Sequence, residues 1–574
     1  MAVADRVDAG LAEHLARTQN GKAEIHEAPK RAIDDALVRI FRVEDTHYAN
    51  WSHAENRPDQ SARRVLTPAQ KLTGVALLAA LLAGLGFMLQ DTVVFVFAFI
   101  TGFYLISALY KSGLVLLQIA KPRETPISDD EVRELVDEDL PCYTILVPLY
   151  QEANVLHGLI AGLEALDYPK QKLDIKLLLE EDDTETREAV DREALPLHFQ
   201  KLIVPRDGPR GKPRACNYGL RQAKGEYCVI FDAEDQPDPD QLKRAVVAFR
   251  KSTDRTICVQ AKLSFYNHDQ NLLTRWFANE YLTLFDLYLP ALNALNTPIP
   301  LGGTSNHFWT DALRQVGGWD PFNVTEDADI GIRVAREGWE TRVIDSTTYE
   351  EATSQLGNWI RQRSRWIKGF MQTWLVHMRN PRRLYSEVGA MGFLGIQVMI
   401  LGTFLACFIN PVMWLVLLAW YVTHAAGIQE AYPAPVLYPA VIALLAGNMA
   451  FVYAPVIACL RRGYGEGVKY ALVIPLYWAL MSVAAWKALY ELVFKPHYWQ
   501  KTRHGQAQTS VVRNSQPTGL PAVSPGTLAF QEASASQGIA LLEASTLHGT
   551  SALQEAPVFR ETSEVPELIS VSDQ

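Results

Sequence analysis

Two long uncharged runs near the N-terminus constrain the fold of this chain more than any other feature. Leu72–Leu89 reads LTGVALLAALLAGLGFML, and after Gln90-Asp91 a second apolar run, Thr92–Tyr110, follows directly. At 1.5 Å per residue a run of this length covers roughly 28 Å, the thickness of a hydrocarbon core. Soluble helices seldom stay uncharged for so long, so the pair reads as a transmembrane hairpin. A second apolar block begins near Val388. Gly389–Phe408, Val412–Thr423, Leu437–Leu460 and Ala471–Phe494 predict three or four further transmembrane or interfacial helices, with Asn410-Pro411 and Gln429–Pro435 read as turns. The whole-chain averages hide this unevenness: 48% hydrophobic residues and a mean hydropathy of −0.02 would suit a soluble protein.

Charge and cysteine content remove other classes. The net charge of −10 argues against a nucleic-acid partner, which would need a basic surface. Cys142, Cys216, Cys228, Cys258, Cys407 and Cys459 are scattered without CxxC spacing, which argues against a disulfide framework or a structural zinc site. The first apolar run starts some 70 residues in, so no secretory signal peptide is expected.

The chain therefore divides into a polar N-terminal segment (1–70), two transmembrane helices (71–120), a polar domain (121–385), the second apolar block (386–495), a short segment 496–505 and a tail (506–574). From residue 514 on, the tail carries one basic residue, Arg560, against seven acidic ones, and disorder is expected. The polar domain alternates short β-rich runs (Tyr143–Val147, Ile175–Leu179, Tyr227–Phe231, Ile257–Ala261) with helical patterns (Ala153–Leu166, Pro239–Phe249). Such alternation predicts an α/β domain with a mostly parallel sheet. Lys111, Lys121 and Arg123 after the second run, with Arg57, Arg63, Arg64 and Lys71 before the first, place the N-terminus and this domain on the cytoplasmic side.

Chemistry-bearing residues cluster where strands end. VIFDAEDQPDPDQL runs an apolar strand into Asp232-Ala233-Glu234-Asp235. In an extended chain Asp232 and Glu234 share a direction, and two hard oxygen ligands beyond a strand's C-terminus suit Mg2+ or Mn2+ on a diphosphate. An acidic loop capping the next helix would look the same. Upstream, TILVPLYQEANVL ends a strand in Pro148–Glu152, KLLLEEDDTET ends one in Glu180–Asp183, and GPRGKPRACNYGL offers Gly211, Lys212 and Arg214. An aromatic ring, carboxylates and basic groups converging there would suit a base, a ribose and phosphates. Downstream, Thr325-Glu326-Asp327 stands just before a helical pattern, Ala328–Glu337, and NWIRQRSRWIKGF carries Gln362, Arg363, Arg365 and Trp366. Positions 362, 365 and 366 share a helix face. Singly, TED reads equally as a cap and the Arg/Trp helix as an interfacial anchor.

Taken in order, PxYxE, an acidic second strand, a Lys/Arg loop, DxE, TED and QRxRW strongly resemble the family 2 glycosyltransferases. The resemblance is to the processive membrane-embedded type related to bacterial cellulose synthase and glucomannan-synthase-like enzymes. It covers residues 140–385 closely and the flanking helices more loosely. It implies a cytoplasmic GT-A-like nucleotide-sugar transferase domain inserted between N- and C-terminal transmembrane helices, in a multi-pass protein of the bacterial inner (plasma) membrane. Residue by residue, it implies Tyr150 and Glu152 at the nucleotide base and Glu181 or Asp182 at the nucleoside. Lys212 or Arg214 would meet the phosphates, and Asp232 and Glu234 the Mg2+ or Mn2+ ion. Asp327 would be the general base. Thr325, Glu326, Gln362, Arg363, Arg365 and Trp366 would form the acceptor and leaving-group site. Trp499, Lys501 and Thr502 stand where a gating loop lies in cellulose synthases. Two motifs depart from the family pattern, DAE for DxD and EEDD for an Asp-Asp-Gly turn.

The implied function is an inverting, metal-dependent hexosyltransferase that builds a β-linked polysaccharide from a UDP-glucose- or GDP-mannose-class donor and passes it across the bilayer. Its partners would be the donor, a glycan acceptor and a periplasmic or accessory protein. Transfer of one sugar to a lipid-phosphate carrier, or a catalytically silent nucleotide-sensing receptor, are the competing readings. No appended β-barrel control domain is expected between 505 and 574.

Overall fold

The structure is a computed structural model that describes residues 2–3, 26–27, 30–498, 501–502 and 505. The expectations for the 506–574 tail, for Trp499 and for an appended domain lie outside the described residues.

Eight strands form one mixed sheet: β1 (Tyr143–Leu149), β2 (Leu173–Glu180), β3 (Phe199–Val204), β4 (Tyr227–Ile230), β5 (Gln236–Pro237), β6 (Thr256–Phe265), β7 (Asn306–Trp309) and β8 (Glu340–Glu350). Their order is β3-β2-β1-β4-β7-β6-β8-β5. Strands β3, β2, β1 and β4 are parallel, β7 runs antiparallel between β4 and β6, β8 is parallel to β6, and β5 antiparallel to β8. Two-residue alternation sorts the side chains. Ile145, Val147, Leu177, Leu179 and Val229 enter the core on one face, while Leu146, Leu178, Cys228 and Ile230 enter the core on the other. The parallel α/β expectation holds, with β7 and β5 as the antiparallel exceptions. Because β1, β2 and β4 point the same way, Tyr150–Glu152, Glu180–Asp182 and Asp232–Glu234 all emerge at one edge of the sheet.

Among the described residues, four helices are long and apolar enough to cross a membrane: α1 (Pro68–Phe87), α2 (Leu89–Ala120), and beyond the sheet the helical stretches Pro381–Thr423 and Ala434–Arg461. Within the domain lie α3 (Lys212–Arg221), α4 (Glu326–Arg336) and α5 (Leu356–His377), and a further helix, α6 (Pro475–Phe494), closes the fold. Three expectations change. Asn410-Pro411 is no turn, because Pro411 sits inside the continuous helix Gly402–Thr423, where its fixed φ is compatible with the spiral. The break lies earlier, at Gly389, with φ 70°. Ala471–Phe494 begins its helix only at Pro475 and carries Lys487 and Glu491, which engage α5 and leave it outside the apolar set. Lys111 follows the Thr92–Tyr110 run, but α2 does not end there and continues to Ala120.

The polar N-terminal segment contributes structure from residue 30 on. Arg42–His47 is a helix that continues through a π-helical turn, Tyr48–Ser52, packed on the domain. Asp45 pairs with Arg221, Asn50 donates to the Asp207 carbonyl at 2.9 Å, and Ser61 donates to Asp320 at 3.1 Å.

Candidate active site

A cavity of about 960 Å³ opens at the carboxyl edge of the sheet and continues between the apolar helices. At its sheet end, Tyr150 lies in the wall, and Glu152 accepts from Lys501 at 2.8 Å while Lys501 lies 5.6 Å from the Tyr150 ring centroid. The segment after α6 thus reaches back over the β1 end. It is anchored by Lys368 donating to the Tyr498 carbonyl at 2.5 Å and Gln372 to that of Pro496 at 2.9 Å. Thr502 is buried in the same wall.

The acidic turn after β2 divides by strand alternation. Glu180 and Asp182 line the cavity, whereas Glu181 points outward, accepting from the Arg206 amide at 3.0 Å and from Arg42 at 2.6 Å. Asp182 pairs with Arg210. Arg214 is not in the cavity wall: it is 1% exposed, ion-paired to Glu180, and donates to the Asp207 carbonyl at 2.7 Å. Of the two basic candidates, Lys212 faces the cavity. Its ammonium pairs with Asp232 and donates to the Gly303 carbonyl at 2.8 Å. Burial alone would lower its pKa, but the Asp232 carboxylate prevails and raises it.

Asp232–Asp235 forms a turn, not an extended strand end, closed by the Asp235 amide on the Asp232 carbonyl at 3.2 Å. Asp232 and Glu234 nevertheless both line the cavity. Asp235 faces inward and accepts from the Asp232 amide at 2.7 Å, leaving its buried Oδ1 without a partner. Burial, then the charges of Asp232 and Glu234, raise the Asp235 pKa well above the carboxylate range. Glu350, at the end of β8, is raised likewise by burial and by Asp235, Glu234 and Asp232. Among the described residues no three His, Cys, Asp or Glu side chains form a cation cluster. Two cavity-facing carboxylates in a field of mutual repulsion are oxygen donors of the kind that could hold a hard cation.

Across the cavity, Glu326 and Asp327 occupy the first turn of α4. Burial raises both: Glu326 to about 7, with Asp327's charge adding to the effect, and Asp327 to about 6 against the pull of its own backbone contact, Lys212 and Arg365. Asp327 Oδ1 accepts the Ala328 amide at 2.7 Å, and a Cβ added to Gly303 would stand 3.3 Å from its Oδ2. Thr325 is buried, and a Cβ on Gly369 would come within 2.3 Å of its Oγ1, so only glycine lets α5 lie this close. From α5, Gln362, Arg365 and Trp366 enter the cavity together, as their spacing predicts. Gln362 accepts from Thr353 at 2.9 Å. Arg363 is committed to structure: it pairs with Glu280, donates to the Tyr477 hydroxyl at 2.7 Å, and lies 4.2 Å and 4.6 Å from the Phe277 and Trp366 ring centroids. Burial lowers the Arg365 pKa while the Glu326, Asp232, Asp327 and Glu234 charges oppose the fall, so its guanidinium serves the carboxylates on both sides of the gap.

Sequence reasoning named Glu180 only within the Glu180–Asp183 turn, choosing Glu181 or Asp182, and missed Gly303, Glu350 and Gly369. Alternation from buried Leu178 would have found Glu180; the other three depend on tertiary approach that no local pattern encodes.

Residues 141–369 match the family model described as "Glycosyltransferase like family 2". This segment is thus similar to family 2 glycosyltransferases. Among curated relatives, the chain is 28% identical over 244 residues to a probable glucomannan 4-beta-mannosyltransferase 1 of Arabidopsis thaliana, covering 41% of this chain and 44% of that protein. It is 27% identical over 269 residues to glucomannan 4-beta-mannosyltransferase 1 of Oryza sativa subsp. japonica, covering 45% and 51%. It is 24% identical over 235 residues to the probable glycosyltransferase YdaM of Bacillus subtilis, covering 40% and 56%. The chain thus matches about half the length of these relatives. Among solved structures, the mannosyltransferase PcManGT from Pyrobaculum calidifontis, in complex with GDP-Man and Mn2+, is 19% identical. That match has a TM-score of 0.44 and covers 71% of this chain and 99% of that one. The matched segment contains every motif discussed above except the Lys501 segment.

Proposed function

We propose that this chain is an inverting membrane glycosyltransferase that extends a β-linked glycan from a nucleotide-sugar donor. The supporting observation is one continuous cavity that brings Tyr150, Asp182, Lys212, Asp232 and Glu234 at the sheet edge to Asp327, Gln362, Arg365 and Trp366 across it, and then runs on between the apolar helices. The glucomannan mannosyltransferase relatives favour a GDP-mannose-class donor.

The base lies against Tyr150, with Glu152 and Lys501 fixing that wall. Lys212 and Arg365 place positive charge beside the diphosphate. Asp232 and Glu234 would hold Mg2+ or Mn2+, which would supply neutralisation of the charge that grows on the leaving group. Asp327 takes the proton of the acceptor hydroxyl as that oxygen attacks the anomeric carbon; its raised proton affinity brings it nearer a working pH than an ordinary carboxylate. Attack from the face opposite the leaving diphosphate inverts the centre, so an α-linked donor gives a β-linked product. Trp366 offers its ring to the acceptor sugar. The catalytic domain faces the cytoplasm of a bacterial inner membrane, and the product leaves along the interhelical part of the cavity. Labelled GDP-mannose or UDP-glucose given to purified protein with Mn2+ tests the reading: it predicts a β-linked polymer, and a monosaccharide on a lipid phosphate would replace it with single transfer.

A further inference from the structure

Residues 205–211, the loop between β3 and α3, bring Arg210 and Lys212 to the donor side of the cavity. The loop is intrinsically loose: Gly208 and Gly211 take φ values of 91° and 143°, a region that glycine enters freely and other residues rarely adopt. Two side chains of the N-terminal segment hold it, and neither lines the cavity. The π-helical turn Tyr48–Ser52 turns Asn50 inward, where it is 2% exposed. Its Nδ2 donates to the Asp207 carbonyl at 2.9 Å, and a Cβ added to Gly208 would stand 2.4 Å from its Cγ. Arg42 donates to Glu181 Oε1 at 2.6 Å, and Glu181 Oε2 accepts the Arg206 amide at 3.0 Å. The two tethers differ in worth. The Arg42 and Glu181 side chains are 52% and 39% exposed, so water and salt screen that pair, whereas the Asn50 bond is made where water does not compete. Asn50 also carries a cost, because its Oδ1 is buried with no hydrogen-bond partner among the described residues. The Asp207 carbonyl does not depend on it, since Arg214 donates there at 2.7 Å. An apolar side chain of the same shape would thus serve stability as well, and what the amide adds is a hold on the loop.

We infer that Asn50 is a positioning residue for the nucleotide-sugar donor: its amide holds the 205–211 loop in the conformation that presents Arg210 and Lys212 to the cavity. The inference rests on the glycosyltransferase reading above. Asn50 touches no substrate. It acts by removing loop freedom before the donor arrives, so that donor binding does not have to order two glycine hinges. Asp327 and Trp366 stand on α4 and α5, outside this loop. The effect therefore falls on donor affinity and not on the transfer step.

The test uses full-length protein in lipid nanodiscs with Mn2+, GDP-mannose and UDP-glucose as calorimetric probes, and donor turnover for KM and kcat. Asn50→Leu keeps the shape of the side chain and removes only the amide. It is expected to weaken binding of the donor roughly three- to tenfold, the worth of one hydrogen bond. KM should rise in step, while kcat and the unfolding midpoint stay at the wild-type values. Asn50→Ala, a second route to the same loss, should weaken donor binding equally. Asn56→Ala, which removes a side chain donating to Ser52 Oγ at 3.0 Å in the same segment, should bind donor as the wild type does. Unchanged donor affinity in Asn50→Leu and Asn50→Ala overturns the inference. So does a fall in kcat and unfolding midpoint at constant KM, or an equal loss of affinity in Asn56→Ala. A wild type that binds neither nucleotide sugar overturns the glycosyltransferase reading and this inference with it. A wild type that binds one, beside Asn50 variants that bind it equally, overturns this inference alone.

Discussion

The Asp327 carboxylate leaves the first turn of α4, where its Oδ1 accepts the next amide and its Oδ2 is left facing Gly303 and the cavity. Burial outweighs the stabilising influence of Lys212 and Arg365, so the group holds its proton to about pH 6. A general base works only when ionised, so transfer should fall as pH drops through that value and level off above it; a pH profile of kcat checks this. Asp327→Asn should cut kcat by a factor on the order of 10² to 10⁴, with donor affinity by calorimetry nearly unchanged. Arg214 belongs to a different account from Lys212, although both stand in one basic motif. Arg214 is locked against Glu180, whose own pKa is raised to about 7, chiefly by burial. Arg214→Met should therefore appear as lost stability of about 3 kcal/mol, the cost of orphaning a buried charge, read by thermal unfolding. Lys212→Met should appear as weakened donor binding.

The active site depends on two close approaches between elements. At the first, α5 touches the TED loop at Gly369, where any Cβ collides with Thr325. Gly369→Ala should push the Gln362–Trp366 face away, destabilising by about 1–3 kcal/mol and lowering kcat more than donor affinity. At the second, the segment after α6 reaches β1 through Lys501 and Glu152. Lys501→Ala should raise the donor KM by about tenfold, the worth of one charged hydrogen bond, without shifting the unfolding midpoint. The sequence makes some of this geometry legible. The i, i+3, i+4 spacing of 362, 365 and 366 did place those three in one wall, and the strand runs located β1, β2, β4 and β6. Strand β7 was invisible because four residues between Gly-rich turn and helix leave no alternation to read. Pro411 misled because local chemistry marks a turn where a neighbouring helix instead pins the spiral, Tyr104 bonding to Asn410. Arg363, also in the cavity wall, holds Glu280 83 residues away in sequence, a pairing that no local pattern announces.

At the scale of the molecule, the apolar helices and the sheet domain belong to one compact unit. The join runs through polar contacts that a soluble domain would have to expose. Lys368 on α5 is buried against Glu491 of α6, Lys487 donates to Ser364 at 3.0 Å, and Arg462 pairs with Asp286 at 2.8 Å. Residues 121–385 expressed alone should consequently aggregate; a monodisperse fragment that binds nucleotide would contradict this coupling. The same continuity joins the sheet-edge site to the interhelical cavity, and under the proposed function it would make synthesis and export of a glycan one path. The most direct test of that account is product analysis with full-length protein in nanodiscs, supplied with GDP-mannose or UDP-glucose and Mn2+. The account predicts that one donor yields a β-linked glycan and that Asp327→Asn yields none while still binding the nucleotide. A wild type that binds nucleotide but transfers no sugar, or an Asp327→Asn variant as active as the wild type, would contradict it.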